Sequence, residues 1–150
     1  CLARKPNCTV CPLTGRCVAR AGGEPERLPV KTRRLKRGRR EHALLWLRRG
    51  DSVYLVQRPG SGVWAGLWSL PEYDRAPALE DLVQAWPGQG EWLHNVEHAL
   101  THFDWTLQPL AWTLPPRGRT PGGLPEGRWF TRAEALALGL PAPIRRLLEG

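Results

Sequence analysis

Four cysteines, Cys1, Cys8, Cys11 and Cys17, fall within the first seventeen residues, and the remaining 133 contain none. Thiols this dense can hold a metal centre or pair as disulfides. The gaps of six, two and five residues enclose Pro6, Pro12 and Gly15, which favour tight wrapping over helix or strand. The segment therefore reads as a compact metal loop. Disulfides crowded into one short basic stretch would not staple the chain that follows, and a lipid-modified Cys1 would leave three thiols unexplained. Zinc remains a rival, although its usual arrangement is two Cys-x-x-Cys knuckles set well apart and here there is one, Cys8 and Cys11.

A second group of polar residues sits in "NVEHALTHFDWTLQPLAW". Apolar positions run on even numbers through Val96 and Leu100, then on odd numbers from Phe103 through Trp105 and Leu107. Strand side chains alternate faces, so the change of parity predicts a turn or bulge near Thr101–His102. Such a loop presents a hydroxyl and an imidazole to a ligand.

The elements that must position these residues are legible on either side. "HALLWLRRGDSVYLVQRP" predicts two strands joined around Gly50–Asp51. A Gly-rich loop from Arg58 to Glu72 follows, carrying Trp64 and Trp68 and leading into a short strand. "PALEDLVQAW" has Pro77 at a first helical position and apolar Leu79, Leu82, Val83 and Trp86 at helical spacing, which predicts an amphipathic helix. Glu80 and Asp81 lie off its apolar stripe as solvated residues. Trp46, Trp86, Trp105 and Trp129 are expected in the core, and only Trp64 and Trp68 are placed for exposure.

At 150 residues the chain suits one globular core with a small appendage. Its net charge of +8 is uneven: residues 1–40 hold 12 Lys/Arg against 2 Glu, and residues 41–150 hold 10 against 12 Asp/Glu. The densest run, Lys31 to Arg40, has seven cations in ten residues and reads as a solvated linker able to track phosphates, or simply as a solubilising tail. No apolar run approaches the ~20 residues that span a bilayer. The sequence contains no Met, so residue 1 is not expected to be a translational start.

The full spacing Cys-x6-Cys-x2-Cys-x5-Cys resembles the 4Fe–4S loop of the helix-hairpin-helix DNA glycosylases. That resemblance implies a 4Fe–4S cluster on Cys1, Cys8, Cys11 and Cys17. Arg4, Lys5, Arg16 and Arg20, between or just after the ligands, would meet DNA phosphates, joined by Lys31, Arg33 and Arg34 of the linker. The strand, "SGVWAGLWSLPE" loop and helix, with the ending "WFTRAEALALGLPAPIRRLLEG", resemble the Nudix fold. The Arg-Glu…Glu-Glu run of that family's metal-binding helix is absent, so the fold is expected without the hydrolytic chemistry.

Together these features resemble adenine DNA glycosylases of the MutY family, over essentially the whole chain. The resemblance implies an α+β architecture: a cluster loop at 1–20, a basic linker at 21–40 and a Nudix-like domain, a mixed sheet with flanking helices, at 41–150. Family enzymes remove adenine mispaired with 8-oxoguanine, and their C-terminal domain recognises the damaged base. Their Phe-Ser-His loop corresponds here to Leu100-Thr101-His102, with a family His matched by His98. The oxidised base carries N7–H where guanine has an acceptor, so a hydroxyl able to accept from it distinguishes the two. Thr101 keeps that hydroxyl, whereas Leu100 loses the aromatic ring. The catalytic helical domain is expected upstream of Cys1, no Asp or Glu here is expected to be catalytic, and this chain alone should not excise adenine. Implied partners are that missing domain and duplex DNA with 8-oxoguanine opposite adenine, for a monomer in the cytoplasm associated with the nucleoid, free of membrane. A Nudix-type pyrophosphohydrolase and a zinc-loop nucleic-acid-binding module are the alternatives.

Overall fold

The run His42–Leu47 places apolar side chains on both parities, the pattern of a strand covered on both faces. In the computed structural model, which describes residues 5–28, 30 and 37–150, this run is the middle of β1 (Gly38–Arg49), where Ala43, Leu44, Leu45 and Leu47 are all buried. A two-residue loop at Gly50–Asp51 returns the chain as the antiparallel β2 (Ser52–Gln57), with Arg49 opposite Ser52. Gly50 has φ 57, at the first loop position, where type II′ turns need glycine. The predicted hairpin is present.

The predicted Arg58–Glu72 loop is shorter than expected, its second half giving way to two short strands, β3 (Trp68–Ser69) against β2 and β4 (Glu72–Tyr73) against β1. After them come α2 (Ala76–Gln84), β5 (Gln89–Trp92), β6 (Val96–Ala99) and β7 (Phe103–Thr113). β7 runs parallel to β1, from Gly38 opposite Phe103 to Arg48 opposite Thr113. Antiparallel neighbours of β7 are β5 and β6, and β8 (Arg128–Thr131) closes against β2. The sheet is therefore mixed, with β1 and β7 as its axis.

Helices cover both faces. On one, α2 supplies Leu79 and Val83 to a cluster with Ala43, Leu45, Leu47 and Leu110. On the other, α3 (Arg132–Ala137) and α4 (Ala142–Glu149) supply Ala135, Ile144 and Leu148 to a cluster with Leu44, Leu55, Trp105 and Leu107. The start of α3 is fixed by a capping box, in which the Thr131 hydroxyl accepts from the Glu134 amide and the Glu134 carboxylate accepts from the Thr131 amide.

The chain divides into units at Cys1–Lys36 and Arg37–Gly150. The first has two 3-10 turns, Thr14–Arg16 and Pro25–Arg27, around the four-residue α1 (Val18–Ala21), and none of these elements buries a residue. Among the described residues no helix is long and apolar enough to cross a membrane.

Two expectations are corrected. β1 begins at Gly38, so residues 38–40, assigned to the linker, are strand, because β7 supplies backbone partners to them. Trp64 and Trp68 are half-buried against the second cluster, Trp64 because its loop is folded onto the sheet and Trp68 because it belongs to strand β3. The exposed tryptophan is Trp92, at 37%, on strand β5, whose four residues are all exposed.

Candidate nucleic-acid interface

Strands β6 and β7 pair in the register Val96 with Leu107, His98 with Trp105 and Ala99 with Asp104. The Leu100 amide donates to the Phe103 carbonyl at 2.9 Å, which leaves Thr101 and His102 as the loop. The parity change is thus a two-residue hairpin turn. Thr101 and His102 are exposed, whereas Leu100 is half-buried and packed against the core. A hydroxyl and an imidazole therefore project beyond a base anchored by Leu100. The Gly38 amide donates to the His102 carbonyl at 3.1 Å, so β1 holds the turn from below.

His98 is half-buried on the core-facing side of β6, opposite Trp105 and 5.4 Å from the Trp64 ring. Trp64 in turn stacks on Trp105 at 4.8 Å with 19° between the planes. The loop that carries Trp64 is tied down by Arg58, whose Nε donates to the Val63 carbonyl at 3.0 Å and whose Nη1 meets Glu72 at 2.6 Å. Trp64 has φ 58, a left-handed conformation uncommon for a bulky residue and sustained by its surroundings. Beneath the stack the Trp105 indole N–H donates to His42 Nδ1 at 2.7 Å. Indole nitrogen is a donor only, so the ring proton of neutral His42 sits on Nε2, 3.6 Å from Glu72.

Sequence patterning did not single out Arg37, Arg40 or His42 for this site. Arg37 reaches Leu100 and Asp104, Arg40 reaches Phe103, and His42 reaches Trp105. All four contacts depend on the parallel pairing of β1 with β7, whose partners are more than sixty residues apart in sequence, and no local spacing reports such a pairing.

In the N-terminal unit Cys8, Cys11 and Cys17 are half-buried free thiols that line one cavity of about 290 Å³ together with Thr14 and Arg20. The wrap is set by backbone hydrogen bonds, Cys11 to Cys8 at 3.4 Å and Thr14 to Cys11 at 3.1 Å, and by the Thr14 hydroxyl donating to the Cys8 carbonyl. Among the described residues no three His, Cys, Asp or Glu side chains stand as a closed ligand set. Three thiols around one cavity are three of the four ligands that an iron–sulfur cluster or structural zinc takes. Cys1, Arg4, Lys31, Arg33 and Arg34 lie outside the described residues. Lys5 and Arg16 are exposed, and Arg20 donates to the Cys8 carbonyl at 3.4 Å. On α2, Glu80 and Asp81 are exposed, and Glu80 accepts from the Trp92 indole at 2.8 Å.

Residues 42–150 match the NUDIX domain family, and residues 1–17 match the iron–sulfur binding domain of endonuclease III. An adenine DNA glycosylase of Buchnera aphidicola subsp. Acyrthosiphon pisum is 22% identical over 152 residues, covering 99% of this chain and 43% of the relative. The adenine DNA glycosylase of Homo sapiens is 34% identical over 99 residues, covering 57% of this chain and 18% of the relative. The chain thus spans less than half the length of these relatives. Among solved structures, the C-terminal domain of mouse MUTYH, crystallised in complex with human PCNA, is 26% identical with a TM-score of 0.55, covering 73% of this chain and 84% of that one. The chain therefore belongs to the NUDIX domain family, preceded by a segment of the endonuclease III iron–sulfur type, the pairing expected of the C-terminal part of an adenine DNA glycosylase.

Proposed function

We propose that this chain is the lesion-recognising C-terminal part of an adenine DNA glycosylase, reading 8-oxoguanine opposite adenine in duplex DNA. The observation that carries this reading is the β6–β7 turn, where Thr101 and His102 stand exposed on a base anchored by Leu100. In this function the Thr101 hydroxyl accepts from the N7–H of the oxidised base, whereas on guanine, whose N7 is itself an acceptor, the same hydroxyl must turn and donate. As a single hydrogen bond the contact discriminates by less than the ~1–3 kcal/mol of a bidentate base contact. His98 and His102 supply further donors beside it, and Leu100 supplies an apolar wedge.

Cys1, Cys8, Cys11 and Cys17 would hold a 4Fe–4S cluster, one thiolate to each iron, which supplies a rigid cross-link needing no redox step. Loop residues Arg4, Lys5, Arg16 and Arg20 would then meet phosphates, with Lys31, Arg33 and Arg34 adding charge between the cluster loop of residues 1–20 and the lesion-reading domain. Excision belongs in this reading to a helical domain upstream, and these 150 residues alone release no adenine.

The test is equilibrium binding at one fixed salt concentration to two duplexes that differ only in 8-oxoguanine or guanine opposite adenine. Salt must be fixed because the basic segment alone binds DNA. A preference for the lesion that shrinks in Thr101→Ala is expected. Equal binding of the two duplexes would defeat the assignment.

A further inference from the structure

The turn proposed to read the lesion, Leu100–His102, carries no permanent cation, so some neighbouring group must hold the DNA backbone beside it. Three arginines stand at the start of β1 next to the turn: Arg37 just before the strand, and Arg39 and Arg40 in its first residues. Their faces differ. The register sets Arg39 opposite Asp104 and Arg40 opposite Trp105, and residues opposite one another in a sheet share a face.

Arg37, Arg39 and Glu41 therefore lie on one face with Asp104, Thr106 and Glu97. The Arg37–Asp104 ion pair at 2.6 Å and the Thr106 hydrogen bond to Glu97 at 2.9 Å belong to that face. Arg40 lies on the other, with His98, Phe103 and Trp105. The three carboxylates of that first face, Glu41, Glu97 and Asp104, are thus segregated from Arg40, while Glu72 and Asp74 approach His42, two residues further along Arg40's own face. On Arg40's face an approaching phosphate meets in Arg40 a cation that no carboxylate pairs among the described residues, Glu72 and Asp74 being turned to His42 and Arg58.

Arg40 is also held differently from Arg37. Its guanidinium carbon lies 4.2 Å from the centroid of the Phe103 ring, and it makes no ion pair among the described residues. A cation–π contact restrains a guanidinium without neutralising it. Less freedom is then lost when its forked donors engage a phosphate. Phe103, the ring that steadies it, follows His102 directly in the chain.

We infer that Arg40 is a DNA-phosphate anchor that docks the backbone beside the lesion-reading turn, on the His98 and Phe103 face of the sheet. The inference rests on the proposed DNA-binding function and adds a site to it. The probe is an undamaged labelled duplex with guanine opposite adenine, bound by the full chain over a salt series. Each phosphate contact contributes about 0.9 to the slope of log affinity against log salt. Arg40→Gln and Arg40→Met, the second keeping an apolar stem over Phe103, should each flatten the slope by about 0.9, or about 3.5-fold in affinity across a fourfold rise in salt. Arg40→Lys should keep the wild-type slope.

Wild-type slopes in folded Arg40→Gln and Arg40→Met would overturn the anchor. The lesion preference is measured separately on the same proteins. Its absence in the wild type would defeat lesion reading while leaving the anchor standing, and an unchanged slope would do the reverse.

Discussion

One nitrogen of Arg37, Nη2, lies 2.6 Å from the Asp104 carboxylate and donates at 2.8 Å to the Leu100 carbonyl. A residue at the entry to β1 thereby clamps both strands of the β6–β7 hairpin just below its turn. Ion pair and hydrogen bond together fix where the turn points. Arg37 and Asp104 are each nearly half exposed, so the pair contributes at most about 1 kcal/mol to stability. Arg37→Ala should lower the unfolding free energy by no more than that while blunting the preference for 8-oxoguanine over guanine. Urea titration and paired-duplex binding check the two halves of the prediction. Undiminished preference in the variant would show that the turn needs no clamp.

Trp64 offers a prediction with an unusual sign. Both Trp64→Ala and Trp64→Gly lose the stack on Trp105, at a cost of about 2–3 kcal/mol, below the range for a fully buried Trp because the ring is half exposed. At φ 58 alanine retains a left-handed penalty of roughly 1–2 kcal/mol that glycine does not. Glycine, normally the more destabilising choice, should therefore be the milder of the two by about 1 kcal/mol. Denaturant midpoints measure this directly, and an alanine variant equal to or more stable than the glycine variant would contradict it.

What the sequence reveals of this molecule follows the range of the signal. The Gly50–Asp51 hairpin, the α2 stripe of Leu79 and Val83 and the turn at Thr101–His102 all depend on residues within a few positions of one another, and all are present. Cys8, Cys11 and Cys17 gather around one cavity for the same reason. The support beneath the turn was not legible, because Arg37, Arg40 and His42 reach it through a parallel pairing whose partners are remote in sequence. The burial of Trp64 is not legible because a Gly-rich loop looks the same whether it is free or, as here, pinned by Arg58 to Val63 and Glu72, and that of Trp68 because β3 is only two residues long.

Tyr73 gives a pH dependence. Its hydroxyl is buried without a hydrogen-bond partner among the described residues. Burial, reinforced by the neighbouring Tyr54, pushes its pKa from 10.0 up to about 12. A raised folded-state value means that the contribution to stability is fully present below pH 10.0 and is lost as pH rises toward about 12, because the unfolded chain ionises first. Tyr73→Phe removes both this dependence and an unpaired polar group. It should be neutral to slightly stabilising at pH 7 and should flatten the fall in thermal midpoint above pH 10.0. An unchanged alkaline slope would mean that Tyr73 is not the titrating group.

The cysteine loop makes the sharpest compositional prediction, because its two candidate occupants differ chemically. A 4Fe–4S cluster requires four thiolates and brings inorganic sulfide, whereas zinc brings none. Chain purified without oxygen should contain about four iron and about four sulfide per molecule, and serine at Cys8, Cys11 or Cys17 should abolish both. The Nudix-like domain has its own core of Leu44, Leu55, Trp105 and Leu107, so its unfolding midpoint should be unchanged in the serine variants. The salt dependence of DNA binding should flatten instead, because Arg16 on its 3-10 turn and Arg20 on α1 belong to elements that bury nothing and would lose their fixed positions without a centre at the cysteines. Zinc in place of iron and sulfide in the oxygen-free preparation would reassign the loop to a zinc site, and retention of iron in Cys11→Ser would remove that residue from the ligand set.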